Sequence, residues 1–241
     1  MKILYFASTP FYVKPNPSFH LMYAMISDLL ANGDEIFFIG KENPNLEKHI
    51  PEEFANNPMF HYRLTKVSSV GKNKFALRYL NGIKYPFKAA KFVKEYMPQC
   101  DVTYIQSGAT IPYYVLVAKH YAKRQKILIN IQDMFPGSSI ASGVMPQKWM
   151  QRIFYRIQKI AYRKADKIVG ISEDMRDKFL AQDVPYEKTE VILNWFDDKT
   201  VHHVDWDNNR YVKKLGMSKD KFYVQYAGTM GYVFDLSLIH I

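Results

Sequence analysis

Two amides, a carboxylate and a turn crowd into one short stretch, Asn130-Ile131-Gln132-Asp133-Met134-Phe135-Pro136-Gly137-Ser138-Ser139. The apolar run at 126–131 reads as a strand, so Gln132 and Asp133 stand at its end, ahead of an aromatic-proline turn. A carboxylate placed there can accept a proton from a sugar hydroxyl or orient it. It can equally cap the turn, and position alone does not separate the two roles. Other reactive arrangements are missing. The sequence has no G-x-x-x-x-G-K-[ST] loop, no G-x-S-x-G elbow and no H-E-x-x-H helix, which removes the usual markers of P-loop, α/β-hydrolase and zincin chemistry. His20, His61, His120, His202 and His203 are scattered, and only His20, near the first loop, is kept as a contact candidate. Cys100 is the only cysteine; it cannot form an intramolecular disulfide, which points to a reducing compartment and to no metal.

The elements that must position these residues alternate along the chain. Strands are expected at 2–7, 35–39, 60–65, 102–105, 126–131, 167–171, 189–193 and 222–227. Helices are expected at 18–32, 74–97, 111–123, 147–165 and 173–182, with a shorter one at 207–215. Such alternation is the signature of βαβ units, so the expected class is α/β, a Rossmann-like parallel sheet flanked by helices. Ligands of such sheets collect at the carboxyl ends of the strands. The loops 8–17, 106–110, 132–146 and 194–198 therefore share the functional edge, with Ser8, Thr9, Ser18, Gln106, Ser107 and Gln132 as polar candidates there. The first of these loops, Ser8-Thr9-Pro10-Phe11-Tyr12-Val13-Lys14-Pro15-Asn16-Pro17, lacks G-x-G-x-x-G and is too bulky for close backbone approach to a pyrophosphate.

The chain has 241 residues, 48% hydrophobic and 23% charged, with a formal net charge of +10. That composition excludes disorder and coiled coil and allows one large domain, or one and part of a second. The charge is concentrated in two places. Segment 72–95 holds seven Lys and Arg against Glu95, and segment 147–167 holds seven against Asp166, so the remainder is slightly acidic. Both interleave cations with large apolar side chains. A surface helix packed on a sheet would look this way, and so would a helix lying on an anionic bilayer. The membrane-contact candidates are Lys148, Trp149, Arg152, Arg156, Lys159 and Arg163. No nucleic-acid module accompanies the charge, so nucleic acid is not an expected partner. The apolar start of the chain reaches Pro10 without a small-residue cleavage site, and no run approaches about 18 apolar residues. The expected location is cytoplasmic, peripheral at the inner face of the plasma membrane.

Four segments, in order, resemble glycosyltransferase family 4, enzymes of the GT-B fold in cell-envelope polysaccharide synthesis. They are Asn130-Ile131-Gln132-Asp133-Met134-Phe135-Pro136, Ala165-Asp166-Lys167-Ile168-Val169-Gly170-Ile171-Ser172-Glu173, Val191-Ile192-Leu193-Asn194-Trp195-Phe196-Asp197 and Tyr226-Ala227-Gly228-Thr229-Met230-Gly231-Tyr232. The resemblance implies two facing Rossmann-like domains, with residues 1–196 as the N-terminal acceptor-binding one. It then implies a linker at 197–220, and at 221–241 the start of a donor domain cut short. It also implies retaining transfer from a nucleotide sugar to a saccharide acceptor carried on a lipid, without a metal or other cofactor. Gly228, Thr229 and Gly231 would lie against the donor phosphates, Asp133 at the reacting sugar, and Ser8, Thr9, Ser18, His20, Gln106, Ser107 and Gln132 against the acceptor. Two departures stand out. Pro15-Asn16-Pro17-Ser18 replaces the small residues usual in the first loop, and no two glutamates lie eight positions apart, as the family's donor signature requires. The chain is therefore expected to be a fragment that is inactive alone. The alternatives are a non-catalytic basic module that binds membrane or polymer, and a GT-B nucleotide-sugar epimerase.

Overall fold

The computed structural model describes residues 1–7, 18–42, 50–67, 75–106, 108–195 and 202–226, the side chains of Ser18 and Phe75 excepted. The chain divides into two compact units, Met1–Trp195 and Phe196–Ile241.

The first unit is built on a seven-stranded parallel sheet. Its strands are β1 Lys2–Ala7, β2 Glu35–Glu42, β3 Phe60–Lys66, β4 Val102–Gln106, β5 Lys126–Asn130, β6 Lys167–Gly170 and β7 Thr189–Val191. The first seven expected strands all form, with ends shifted by a few residues. The order β3-β2-β1-β4-β5-β6-β7 reverses direction between β1 and β4, and in doubly wound sheets the ligand crevice lies at such a switch. Parallel strands are buried on both faces, and their side chains alternate between two cores. Leu4 and Phe6 of β1 point into one core with Phe37, Ile39 and Ile129, while Ile3, Tyr5 and Ala7 join Ile36 and Phe38 in the other.

Helices α1 Ser18–Ala31 and α2 Glu52–Ala55 cover the second core. The first core lies under α3 Phe75–Tyr96, α4 Ile111–Tyr121, α6 Lys148–Lys164 and α7 Glu173–Leu180. Short α5, Gly137–Ala141, follows the turn after β5. Local chemistry fixes the ends. Gly33 ends α1 with φ +82°, a conformation open to a residue without Cβ, and Asp34 N donates to the Leu29 carbonyl at 2.9 Å. Ser172 caps α7, its hydroxyl accepting from Met175 N at 3.3 Å.

Both cationic segments cover the same core, and α4 packs between α3 and α6. Lys84, Phe87, Lys88 and Lys91 of α3 are exposed, as are Arg152, Ile153, Arg156, Ile160 and Arg163 of α6, so each helix presents cations and large apolar side chains outward.

The second unit holds a 3₁₀ turn, Trp206–Asn208, and α8, Arg210–Leu215, which Asn209 caps and Gly216 ends at φ 59°. The strand expected at 222–227 does not form over its described part, 222–226, where Phe222 is 93% exposed. A strand exists only by pairing, and no partner strand lies beside it among the described residues.

Candidate functional site

At the carboxyl end of β5 the chain turns outward, and the side chains of 130–133 separate by face. Ile131 goes down into the first core, 2% exposed, while Gln132 and Asn130 turn to the α1 side. There Gln132 Nε2 donates to Asn130 Oδ1 at 2.7 Å, and Asn130 Nδ2 donates to the Tyr104 hydroxyl at 2.6 Å. The Tyr104 ring packs 4.9 Å from that of Tyr5, whose hydroxyl donates to Gln106 Oε1 at 2.5 Å. Gln106 and Gln132 thus belong to two hydrogen-bonded sets, at the ends of β1 and β4 and of β4 and β5, that meet where the Tyr5 and Tyr104 rings pack. Gln106, 7% exposed, uses its oxygen on Tyr5.

Asp133 differs from these neighbours. It is exposed, and its carboxylate has no hydrogen bond or ion pair among the described residues; only its backbone carbonyl is engaged, by Phe135 N at 3.0 Å. The side chain therefore caps nothing. It stands at a narrow cleft whose walls include Tyr79 of α3, Gly108 after β4, Phe135, and Phe154 and Gln158 of α6. Phe135 and Tyr79 stack at 5.7 Å, and Phe154 meets both rings edge-on. Burial, reinforced by the neighbouring Tyr113, pushes the Tyr79 phenol well above the usual range, so it stays protonated. The cleft has room for about one water, about 10 Å³, so a saccharide meets this free carboxylate at the rim, where it can orient or deprotonate a hydroxyl.

Gly82 holds this wall in place. A Cβ there would come within 2.8 Å of Thr110 Cγ2, so α3 packs closely on the loop after β4 because residue 82 has none. Pro86 lies four residues on inside α3 and cannot donate to the Gly82 carbonyl.

His20 lies exposed in the first turn of α1, edge-on to Phe19 at 5.7 Å. Of the remaining candidates, Ser8, Thr9, Ser107, Gly228, Thr229 and Gly231 fall outside the described residues, and so does the side chain of Ser18. Lys148, Trp149, Arg152, Arg156 and Arg163 are exposed as expected, Trp149 at 63%. Lys159 is half-buried and forms an ion pair with Asp183, so its charge is locally neutralised.

Sequence reading missed Tyr79, Gln158 and Lys41. Lys41, near the end of β2, sits with Nζ 4.9 Å over the Tyr85 ring, and burial lowers its pKa to about 8. Gln158 was detectable in principle: it shares the stripe of Phe154, Ala161 and Tyr162, a polar residue on the buried face of α6. Among the described residues no group of three His, Cys, Asp or Glu side chains is placed to hold a metal, and no helix is long and apolar enough to cross a membrane.

A parallel sheet with its switch between β1 and β4, helices on both faces and polar groups at the carboxyl edge is a doubly wound, Rossmann-like fold, the kind that forms each half of a GT-B protein. The profile of Glycosyltransferase Family 4 matches residues 21–200, well over half the chain. The chain belongs to glycosyltransferase family 4. Solved structures of the same fold include sucrose-phosphate synthase from Thermosynechococcus elongatus, with TM-score 0.59 and 12% identity over 91% of this chain and 54% of that one. Anabaena HepE in complex with UDP gives TM-score 0.52 and 16% identity over 90% and 50%. The lipopolysaccharide outer core galactosyltransferase WaaB gives 0.52 and 16% over 83% and 48%. The chain thus spans about half the length of these proteins. Comparison with curated proteins gives no match.

Proposed function

We propose that this chain forms the acceptor-binding side of a retaining glycosyltransferase. It moves a sugar from a nucleotide-sugar donor to a lipid-linked saccharide in envelope polysaccharide synthesis, at the inner face of a membrane. The observation that carries the reading is the free Asp133 carboxylate at the carboxyl edge of a family 4 sheet, beside an aromatic cleft. In this reading Asp133 orients or deprotonates the reacting hydroxyl, Gln132 and Gln106 keep the edge rigid, and His20 contacts the acceptor. Gly228, Thr229 and Gly231 let backbone N–H groups reach the donor phosphates, and no metal takes part. The UDP in the HepE complex supports a uridine-nucleotide donor, and the name of WaaB supports an envelope saccharide as acceptor.

The membrane part of the proposal rests on α3 and α6, which put exposed cations and apolar side chains on one layer. Each cation near an anionic surface contributes about 1 kcal/mol. The same layer would also serve a non-catalytic membrane-binding module, and transfer separates the two. Transfer of labelled sugar from UDP-sugars to lipid-linked saccharides in anionic vesicles supports the enzyme. Vesicle binding by a transfer-incompetent protein, with both halves of the fold present, supports the module.

A further inference from the structure

The cleft at Asp133 shares two of its walls, Phe135 and Gln158, with a larger groove of about 620 Å³ among α5, α6 and α7. The groove is mainly apolar, with Tyr155 on one side and exposed Lys178 on the other. Two amides line it, Gln158 and Gln182. Gln158 is 4% exposed, and its Nε2 donates to the Tyr162 hydroxyl. Gln182 Nε2 donates to the Lys178 carbonyl at 3.0 Å, and because a carbonyl only accepts, that bond sets which end of the amide is oxygen. Among the described residues the Gln182 Oε1 is buried without a hydrogen-bond partner, and so is one end of the Gln158 amide, whose other end meets a Tyr162 hydroxyl able to donate or accept. Buried acceptors are nearly always paired, and an orphan is costly until a donor reaches it. The last torsion of a glutamine is broad, so either amide can turn toward a ligand, exchanging its present bond to the Lys178 carbonyl or the Tyr162 hydroxyl for bonds to the ligand.

The ligand must therefore bring donors and also an apolar face. A prenyl or acyl chain fills the space but leaves both amides with an unpaired atom. A fully deprotonated anion brings no donor, and a protonated one brings no apolar face. A pyranose has hydroxyl donors around its rim and a C–H face suited to Tyr155 and Phe135, and the volume lies within the ordinary range for small-ligand sites. We propose that this groove is a saccharide subsite, in which Gln158 and Gln182 accept hydrogen bonds from hydroxyls of an acceptor sugar next to the one that reacts. The choice of a sugar rests on the glycosyltransferase reading; the need for a donor-bearing, partly apolar ligand does not.

The test is titration of the ¹⁵N-labelled full chain with methyl glucoside, methyl galactoside, cellobiose and lactose, with glycerol as control, following the side-chain amide signals of Gln158 and Gln182. The expected result is saturable, millimolar-range shifts of both amides with at least one sugar and none with glycerol. The Gln158→Leu, Gln182→Leu double variant should then bind about tenfold more weakly. Tyr155→Ala, at an exposed position, should weaken binding several-fold and serves if the double variant does not fold. The proposal is overturned if no sugar moves these amides, if glycerol moves them equally, or if affinity is unchanged in the folded variants. Transfer from UDP-sugars is a separate readout, taken in the transfer-competent enzyme with both halves of the fold. Sugar binding by the chain with no transfer by that enzyme sinks the enzyme reading alone, and transfer without amide shifts sinks the groove alone.

Discussion

Among the described residues the Asp133 carboxylate has no partner, at the end of a strand where Asn130 and Gln132 are tied down, and that contrast speaks against a turn cap. A turn cap would accept a hydrogen bond at its carboxylate from a nearby backbone N–H, and none forms among the described residues. Its presence at the edge was legible because it directly follows an apolar strand run. The wall beside it was not, because Tyr79 and Gln158 come from helices distant in sequence and meet only through the packing of α3, α4 and α6. Cys100 shows the opposite situation. It is 3% exposed, its Sγ donates to the Tyr96 carbonyl at 3.3 Å, and burial pushes the thiol up to about 12. The thiolate is the nucleophile, so Ellman's reagent at pH 8 should find no reactive thiol in the folded chain and one per chain in denaturant. Rapid labelling of the native protein would show that the residue is accessible.

At the scale of elements, α6 is both an ordinary covering helix and an unusual surface. Its inner stripe, Gln158, Ala161 and Tyr162, is buried on the core, which satisfies the packing reading of a basic amphipathic segment. Its outer stripe, Trp149, Arg152, Ile153, Arg156 and Ile160, leaves large apolar groups in water between cations. Composition could not separate the packing reading from the membrane one, because the helix has both a buried stripe and, on the opposite side, an exposed stripe of cations and apolar groups. Arg152→Glu with Arg156→Glu removes two attractions and adds two repulsions. The loss is at least about 2 kcal/mol, or roughly thirtyfold in affinity for anionic vesicles, and added salt should shrink it. Co-sedimentation that is unchanged in the double variant would remove the membrane from the account. In α3, Gly82→Ala sets about 1 kcal/mol of helix propensity against about 2 kcal/mol of overpacking on Thr110. The melting temperature should fall by about 2–4 °C, and a rise would show that Thr110 moves aside freely.

For the whole molecule, the sheet was largely legible because buried parallel strands are near-continuous apolar runs separated by helical periods. The exception, 222–226, had the composition of a strand without the neighbours that make one. Lys41 affects the stability of the whole fold. Its folded pKa of about 8 lies below the ordinary 10.5, so between those values the unfolded chain binds more protons and stability rises with pH. Below pH 8 the burial cost is present in full. Lys41→Met should therefore flatten the rise between pH 8 and 10.5 in denaturant melts; parallel curves for the two proteins would refute this. The central claim, that this sheet edge carries out sugar transfer, has one direct test. In the transfer-competent enzyme, Asp133→Asn should lower transfer from a UDP-sugar to a lipid-linked saccharide by about 10²-fold or more, while vesicle binding stays unchanged. Undiminished transfer by the variant would contradict the account.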